Sequence, residues 1–486
     1  MHIDILPNEI MINIFTCLSN INCYYLLVTL PSVSKKWRKI CKNLITNATI
    51  RMSDLKFINN KKLFLYKFLH NINSVRELYF DSYFDLEDEF WKLFDNKLKK
   101  TTIIDFENFN KNNFSIIYDI EKYCPNIKKI VYSRYIWIKI INIHKFKKLE
   151  TIIIPYSSIL SFNDYDNIFN FSLFNLKNLT LRDCRGLKTK DLVKISTACP
   201  LLEKLDIRGC DCCLNKNLLT NYMHNLKDYK YLNSNEDNLG LLLKNKKILN
   251  SIHVNEYYCR YSIFFIPNCY YFLKKIHIND SNIDDIFCSK LVEICPKLEK
   301  IYFDYCQIIT DKSVNIFINK LYWLKELTIN SCDCVTFRRD INLTTSCKNI
   351  TSICFNLLAA DIYLGNQNIQ KLIYFLPNLT KISLDYFSEA FEIYKFLNKK
   401  IKYLSIPGFK YGEKEYKYIA KCCNLVYFDN SDNGNFSLEC LRILTHNCKY
   451  LNYIYLRRIK NIFLTDISIY IKKLKLLDFS INFSKI

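Results

Sequence analysis

The stretch that decides the fold is CPKLEKIYFDYCQIITDKSVNIFINKL, residues 295–321. Its first twelve residues follow the frame CPxLxxLxLxxC, in which Ile or Phe can replace Leu, and CPLLEKLDIRGC, residues 199–210, follows the same frame. Such a copy within one chain indicates an internal repeat, which is sought before any local pattern is interpreted.

The reduced frame LxxLxL recurs along most of the chain. Its first position falls at seventeen places: Val75, Thr101, Ile127, Leu149, Leu176, Leu202, Leu226, Leu249, Leu273, Leu298, Leu324, Ile350, Leu379, Ile401, Leu425, Leu451 and Leu474. The intervals between these places lie between 22 and 29 residues. Their average of about 25 is the period of leucine-rich repeats.

Each unit is expected to form one strand and one helix. In residues 202–208, LEKLDIR, the apolar Leu205 and Ile207 alternate with charged residues, which predicts a short strand with one buried face. After the strand of residues 295–321, either Thr310 or Asp311 is expected to cap a helix. Stacked units would bury a core between parallel strands on a concave side and helices on a convex side. We therefore predict an α/β leucine-rich-repeat solenoid, shaped like a horseshoe.

Residues 295–314, CPKLEKIYFDYCQIITDKSV, resemble the cysteine-containing subclass of leucine-rich repeats, whose pattern is CPxLxxLxLxxCxxITDxxL. Residues 191–210 give a second good copy of that pattern. The resemblance implies that the recurrent thiols lie at buried corners of the repeat, where a small apolar Cys fits well. These are Cys184, Cys199, Cys210, Cys295, Cys306 and Cys332.

Composition bounds the class of protein. The chain has 486 residues, a net charge of +22 and an over-use of Asn, Lys, Ile and Tyr that is typical of AT-rich coding sequence. Counts of Asn and Lys therefore carry little weight, and Lys is spread through nearly every segment rather than gathered into a basic motif. With no secretory signal, the 22 Cys are expected to be reduced thiols.

No membrane partner is predicted, because no apolar stretch approaches the length that spans a bilayer. The best one, YSIFFIPNCYYFL at residues 261–273, is broken by Pro267 and Asn268. The N-terminus also lacks the apolar core of a signal peptide. The expected location is therefore the cytoplasm, the nucleus or both.

The N-terminal segment, MHIDILPNEIMINIFTCL at residues 1–18, predicts an amphipathic helix. Pro7 fits the first turn of a helix, where its missing N–H costs nothing. Ile10, Ile14 and Leu18 then recur every four residues and form one apolar stripe. Such a helix needs a partner, which is either the rest of this chain or another protein.

Residues 6–15, LPNEIMINIF, together with residues 33–40, VSKKWRKI, resemble the F-box, whose core reads LPxEIxxxIFxxL followed by VxKxWR. The gap between Phe15 and Trp37 is about four residues longer than in that family. The resemblance implies that the segment binds a Skp-family adaptor and, through it, a cullin-RING ubiquitin ligase. The implied adaptor contacts are Leu6, Pro7, Ile10, Ile14, Phe15, Leu18, Val33 and Trp37.

The predicted domains are the F-box at residues 1–45, a connecting or capping segment at 46–74 and a solenoid of about seventeen units at 75–486. The alternative is that residues 1–45 only cover the first repeat, since the ends of a solenoid must be capped.

The outward positions of the strands form the expected target-binding face. Its mixture of cations, Tyr and few carboxylates would suit an acidic or phosphorylated protein, although an ordinary solvated face is the alternative for each residue. The candidates are Arg182, Asp206, Arg208, Lys230, His253, His277, Tyr302, Asp304, Tyr453 and Tyr455.

No catalytic or cofactor site is predicted. The clusters CDCC at residues 210–213 and CDC at 332–334 lack the spacing of a zinc site, so no metal is expected. None of the seven His belongs to a recognisable catalytic arrangement. The predicted function is the non-catalytic substrate-recognition subunit of a Skp–cullin–F-box ubiquitin ligase. The alternatives are a repeat scaffold without ligase function and a basic RNA-binding protein.

Overall fold

The computed structural model describes residues 34, 36–37, 48–51, 74–81, 96–108, 120–132, 143–155, 169, 171–184, 186–210, 212, 223–232, 248–255, 272–337, 348–356, 366–385, 392–458 and 476–480. The chain divides into two compact units, Met1–Asn233 and Ser234–Ile486, called unit 1 and unit 2 below.

The described strands of unit 1 form a parallel sheet in which each strand pairs with the next along the chain. They are β1 Ala48–Arg51, β2 Val75–Asp81, β3 Ile103–Asn108, β4 Lys129–Val131, β5 Thr151–Ile154, β6 Asn178–Leu181, β7 Lys204–Ile207 and β8 Asp228–Leu232. The described helices of this unit are α1 Ile120–Tyr123 and α2 Thr189–Ala198, with 3-10 turns at Leu98–Lys100 and Ile143–Lys145.

Unit 2 repeats the arrangement, again with every strand parallel to the next. Its described strands are β9 Ser251–Asn255, β10 Lys275–Asn279, β11 Lys300–Asp304, β12 Glu326–Asn330, β13 Ser352–Asn356, β14 Lys381–Asp385, β15 Tyr403–Ser405, β16 Tyr427–Asp429, β17 Tyr453–Arg457 and β18 Leu476–Ser480. Its described helices are α3 Asp285–Ile294, α4 Asp311–Lys320, α5 Asn366–Phe375, α6 Glu413–Ile419 and α7 Leu438–Asn447, and a 3-10 turn covers Ile393–Lys395.

The predicted repeat is confirmed, because each of the seventeen marked positions introduces one strand, from β2 to β18. The fold is therefore an α/β leucine-rich-repeat fold with one parallel strand per repeat. Strand β1 lies inside residues 46–74 and pairs with β2, so the sheet begins one strand before the first marked repeat.

The core lies between the inner face of the sheet and the helices. Strands such as β11 and β12 bury every second residue, which leaves the intervening side chains on an outward face. Phe303 of β11 meets Phe317 of α4 edge to face at 5.5 Å between ring centroids, and both rings are fully buried. Helix α4 thus covers the inner face of its own repeat.

The helix that begins near residue 310 is capped by Thr310, one of the two predicted residues. Its Oγ1 accepts the N–H of Lys312 at 3.2 Å. Asp311 instead lies in the first turn, where its Oδ1 accepts the N–H of Phe337 at 2.7 Å from the following repeat. Thr310 therefore caps its own helix, whereas Asp311 links its repeat to the next one.

A sharp corner follows several strands. After β11, Tyr305 adopts a φ of 56° and donates its N–H to the carbonyl of Asn330 at 2.9 Å. Cys306 follows, and its thiol is fully buried. All six recurrent cysteines are buried, as the resemblance implied.

Candidate functional site

Of the predicted adaptor-binding residues, only Trp37 lies within the described part of the chain. Trp37 is buried, with 7% of the residue exposed, and its backbone N–H donates to the Oγ of Ser34 at 3.2 Å. The indole therefore belongs to the interior of this chain. Leu6, Pro7, Ile10, Ile14, Phe15, Leu18 and Val33 lie outside the described residues.

In unit 1 the predicted face gathers around one carboxylate. Arg182, which follows β6, places its Nη2 at 3.0 Å from the Oδ2 of Asp206 on β7. Arg208 binds both oxygens of the same carboxylate, with Nε at 2.9 Å from Oδ1 and Nη2 at 2.8 Å from Oδ2. Lys230 of β8 is the register partner of Asp206 on the other side.

These contacts keep Asp206 ionised although it is almost fully buried. Burial alone would raise the pKa of the carboxyl, but the hydrogen bonds and charges of Arg208 and Arg182 outweigh it and hold the pKa below its usual value. Asp206 was predicted as one of several outward side chains open to a target. It is instead the covered centre of an ion-paired group whose exposed part is the two guanidiniums.

In unit 2 the predicted residues on β9 to β11 stand side by side. His253, His277 and Tyr302 occupy the same register position on three adjacent strands. The two imidazoles stack with 3.8 Å between ring centroids. The Nε2 of His277 is hydrogen-bonded to the Oδ2 of Asp304, whose Oδ1 accepts from Asn330 at 2.7 Å.

The network continues along the sheet through Glu326 of β12. The hydroxyl of Tyr302 donates to its Oε2, and the Nζ of Lys300 lies 2.5 Å from its Oε1. Burial raises the pKa of Tyr302, and the adjacent carboxylate of Glu326 adds to the effect. For Glu326, burial opposes ionisation, but the hydrogen bonds from Lys300 and Tyr302 lower its pKa overall. Lys275 lies over the Tyr302 ring at 4.9 Å from the centroid.

A group of tyrosines covers the outward face of β15 to β17. The ring centroids of Tyr403 and Tyr427 are 6.1 Å apart, and those of Tyr427 and Tyr455 are 5.2 Å apart. Tyr453 is the register partner of Tyr427. Burial, followed by the charge of Asp429, raises the pKa of Tyr427 to about 12.

A cavity of about 580 Å³ opens beside these rings. Asp429 lies in its lining and accepts hydrogen bonds from the Oγ of Ser405 at 3.2 Å and the Oγ of Ser431 at 2.8 Å. The other lining residues are Asp385, Pro407, Gly408, Tyr427, Ser431, Asp432, Tyr455, Arg457 and Arg458.

The arrangement can serve as a binding surface. Half-buried tyrosines and fixed polar side chains give contact area and hydrogen-bond specificity at low entropic cost, as in protein interfaces. Many of the cations are already matched by carboxylates on neighbouring strands, which weakens the reason to expect an acidic or phosphorylated partner at this face. Among the described residues, no group of His, Cys, Asp and Glu is placed to hold a metal ion.

Sequence reasoning missed Glu326, Tyr403, Tyr427 and Asp429 as members of this face. Tyr427 and Asp429 are the register partners of the predicted Tyr453 and Tyr455. Tyr403 is the register partner of Tyr427, and Glu326 occupies the same position on its own strand. Tyr403 and Tyr427 belong to strands of only three residues. All four could have been found from their spacing in sequence, because each lies two or four residues after the first apolar position of its repeat.

Comparison with known proteins adds two kinds of finding. Residues 3–48 match the sequence model of the F-box domain. Among solved structures, a TLR13–ssRNA13 complex matches with a TM-score of 0.44 and 13% identity, over 85% of this chain and 71% of that one. A complex of Rad7 and Elc1 in yeast matches with a TM-score of 0.40 and 16% identity, over 68% and 76%. Neither likeness bears on function, and curated proteins give no significant match.

The fold and its outward face define a leucine-rich-repeat protein. The match at residues 3–48 adds an F-box domain at the N-terminus. The chain thus joins an F-box to a leucine-rich-repeat sheet whose first described strand begins at Ala48.

Proposed function

We propose that this chain is the substrate-recognition subunit of a Skp–cullin–F-box ubiquitin ligase. The observation that carries the proposal is the F-box match at residues 3–48, which ends where the repeat sheet begins. In this role the F-box binds a Skp-family adaptor, and the outward face of the repeats binds a protein target in the cytoplasm or nucleus. The chain performs no chemistry, but it raises the effective concentration of target lysines near the conjugating enzyme.

The test is a pull-down of the full chain with purified Skp adaptor. Wild type is compared with Leu6→Ala/Pro7→Ala, which removes two motif residues, and with Asn8→Ala/Asn13→Ala, which changes two positions that the motif leaves open. We expect adaptor binding by wild type and by the second variant, and its loss in the first. If folded wild type captures no adaptor, the F-box proposal fails and residues 1–45 are only a cap.

Cullin co-purification separates a ligase subunit from an adaptor-bound scaffold. If the adaptor binds but the cullin never joins it, the scaffold alternative is favoured.

A further inference from the structure

One edge of the unit 2 sheet carries a concentration of positive charge. The turns that lead into β9 to β17 follow one another along this edge, and the amide that precedes each strand from β10 to β17 donates to the carbonyl of the turn before. Examples are Lys274 N–H to Asn250 O at 2.9 Å and Lys402 N–H to Thr380 O at 2.8 Å. We call these turns the turn edge: residues 248–250, 272–274, 296–299, 322–325, 348–351, 377–380, 399–402, 423–426 and 449–452.

The turn edge contains eight lysines and a single carboxylate, Glu299, which is shared by Lys274 and Lys325. All eight lysines are exposed: Lys274, Lys297, Lys325, Lys348, Lys399, Lys400, Lys402 and Lys449. The opposite edge differs, because its described loops hold Asp280, Asp284, Asp333 and Asp432 against only Lys410 and Arg458. Such a separation of charge orients a protein on an anionic surface.

Large aromatic side chains protrude between these lysines. Phe272, Tyr322, Trp323 and Tyr450 belong to the turn edge and are 49–63% exposed. Tyr374 and Phe375 lie at the end of α5, just before the turn at 377–380, and are also exposed. Rings of this kind between flexible cations are typical of proteins that lie in the interface of a lipid bilayer.

The backbone of the turn edge is prepared for contact with a poorly hydrated surface. Asn349 donates its Nδ2 to the carbonyl of Tyr322 at 2.7 Å, and Asn378 does the same for Lys348 at 2.8 Å. Asn424 bonds the carbonyl of Lys399 at 2.9 Å. Because these carbonyls already have partners, the cost of removing water from them is reduced.

Two features favour lipid over single-stranded nucleic acid. The rings of Tyr322 and Trp323 meet at 87°, and those of Tyr374 and Phe375 at 85°, so each pair lacks the parallel platform on which bases stack. The cations of the turn edge are all Lys, whereas Arg is the residue that pairs with phosphate through two hydrogen bonds and also stacks on bases.

We propose that the turn edge of unit 2 binds the surface of an anionic bilayer, with its aromatic rings in the interface and its lysines against the headgroups. This binding is peripheral: among the described residues, no helix has the length and apolar character to cross a bilayer. It does not depend on the adaptor.

The test is flotation of the full chain with vesicles of phosphatidylcholine alone or with added phosphatidylserine. We expect binding only to the anionic vesicles, with loss at high salt. Tyr322→Ser/Trp323→Ser and Lys325→Glu/Lys402→Glu should each weaken binding by about tenfold or more. The control Lys410→Glu/Lys414→Glu makes the same change of net charge away from the turn edge and should change binding by less than about twofold.

Circular dichroism must show that all variants are folded. Absence of flotation by wild type, or equal weakening in the control, overturns the proposal. So does tight binding of single-stranded poly(U) that the turn-edge variants abolish while no vesicle floats, which would assign the edge to nucleic acid. Adaptor capture through Leu6 and Pro7 should be unchanged in every variant, so the two proposals can fail separately.

Discussion

Arg208 forms a bidentate ion pair with the carboxylate of Asp206, two residues earlier in the chain, with its Nη2 2.8 Å from Oδ2 and its Nε 2.9 Å from Oδ1. Arg182, from the preceding repeat, binds the same Oδ2. A target that reaches this part of the face therefore meets two guanidiniums held in a fixed position by one buried acid.

Asp206→Asn should lower the free energy of unfolding by about 1–2 kcal/mol, because the carboxylate that accepts four charge-assisted hydrogen bonds from Arg182 and Arg208 is neutralised and the two arginines are left together, with solvent screening part of the effect. Urea unfolding of the full chain measures the change. Lys204→Gln, an exposed change on the same strand, is the control and should alter the midpoint little. Equal midpoints for both variants would contradict the prediction.

Acid should destabilise the repeats through three carboxylates. Burial disfavours the ionised forms of Asp206, Asp285 and Glu326. Hydrogen bonds to all three, and neighbouring cations beside Asp206 and Glu326, outweigh burial and lower their pKa in the folded protein. A carboxyl whose pKa is lower in the folded than in the unfolded protein stabilises the fold at any pH above its unfolded pKa of about 4. This stabilisation is lost as the pH falls through the pKa of the folded state.

The free energy of unfolding should therefore be nearly constant from neutral pH down to about 5 and decline below about 4. The triple variant Asp206→Asn/Asp285→Asn/Glu326→Gln should start from a lower stability and show a shallower decline. A slope as steep as that of wild type would show that other groups control acid unfolding.

The asparagines of the repeat turns should each contribute to stability. Asn378→Ala removes the donor to the Lys348 carbonyl and should cost about 1 kcal/mol. Asn452→Ala is a matched control, since the Asn452 side chain makes no such bond in the described part of the chain. Thermal unfolding of both variants makes the comparison. An equal or larger loss of stability in the control would contradict the predicted contribution of the Asn378 hydrogen bond.

Thiol labelling should separate the cysteines by position. Cys334 and Cys423 are exposed, whereas burial raises the pKa of Cys199, Cys422 and Cys448 to about 12. Iodoacetamide at neutral pH, read by peptide mass spectrometry, should label the first two quickly and the buried thiols only after denaturation. Rapid native labelling of Cys199 would mean that its corner opens.

The positions of the strands were readable from sequence because burial of every second residue is a local property that recurs with each repeat. Strand β1 was missed because ATIR, at Ala48–Arg51, lacks the LxxLxL spacing and is held by pairing with β2. The left-handed corner at Tyr305 gave no signal either, since a bulky residue there is fixed by its bond to the next strand.

The candidate surfaces were harder to predict. Asn and Lys were discounted as products of composition, yet Asn349, Asn378 and Asn424 each stand directly before the first apolar residue of a unit and bond the previous turn. Apart from Lys399, Lys400 and Lys402, the lysines of the turn edge lie about one repeat or more apart in sequence, so no local window contains the whole patch. Only stacking brings them together.

The turn-to-turn hydrogen bonds also govern where the chain can gain or lose residues. The interval from Ile350 to Leu379 is 29 residues, the longest between marked positions, yet Ser352 still pairs with Lys381 in uninterrupted register. An insertion between the end of one strand and the next turn leaves neighbouring repeats in place, whereas one residue added within a strand would turn its buried side chains outward. Length variation over evolutionary time, and any reporter inserted by an engineer, should therefore be confined to the helical side of each repeat.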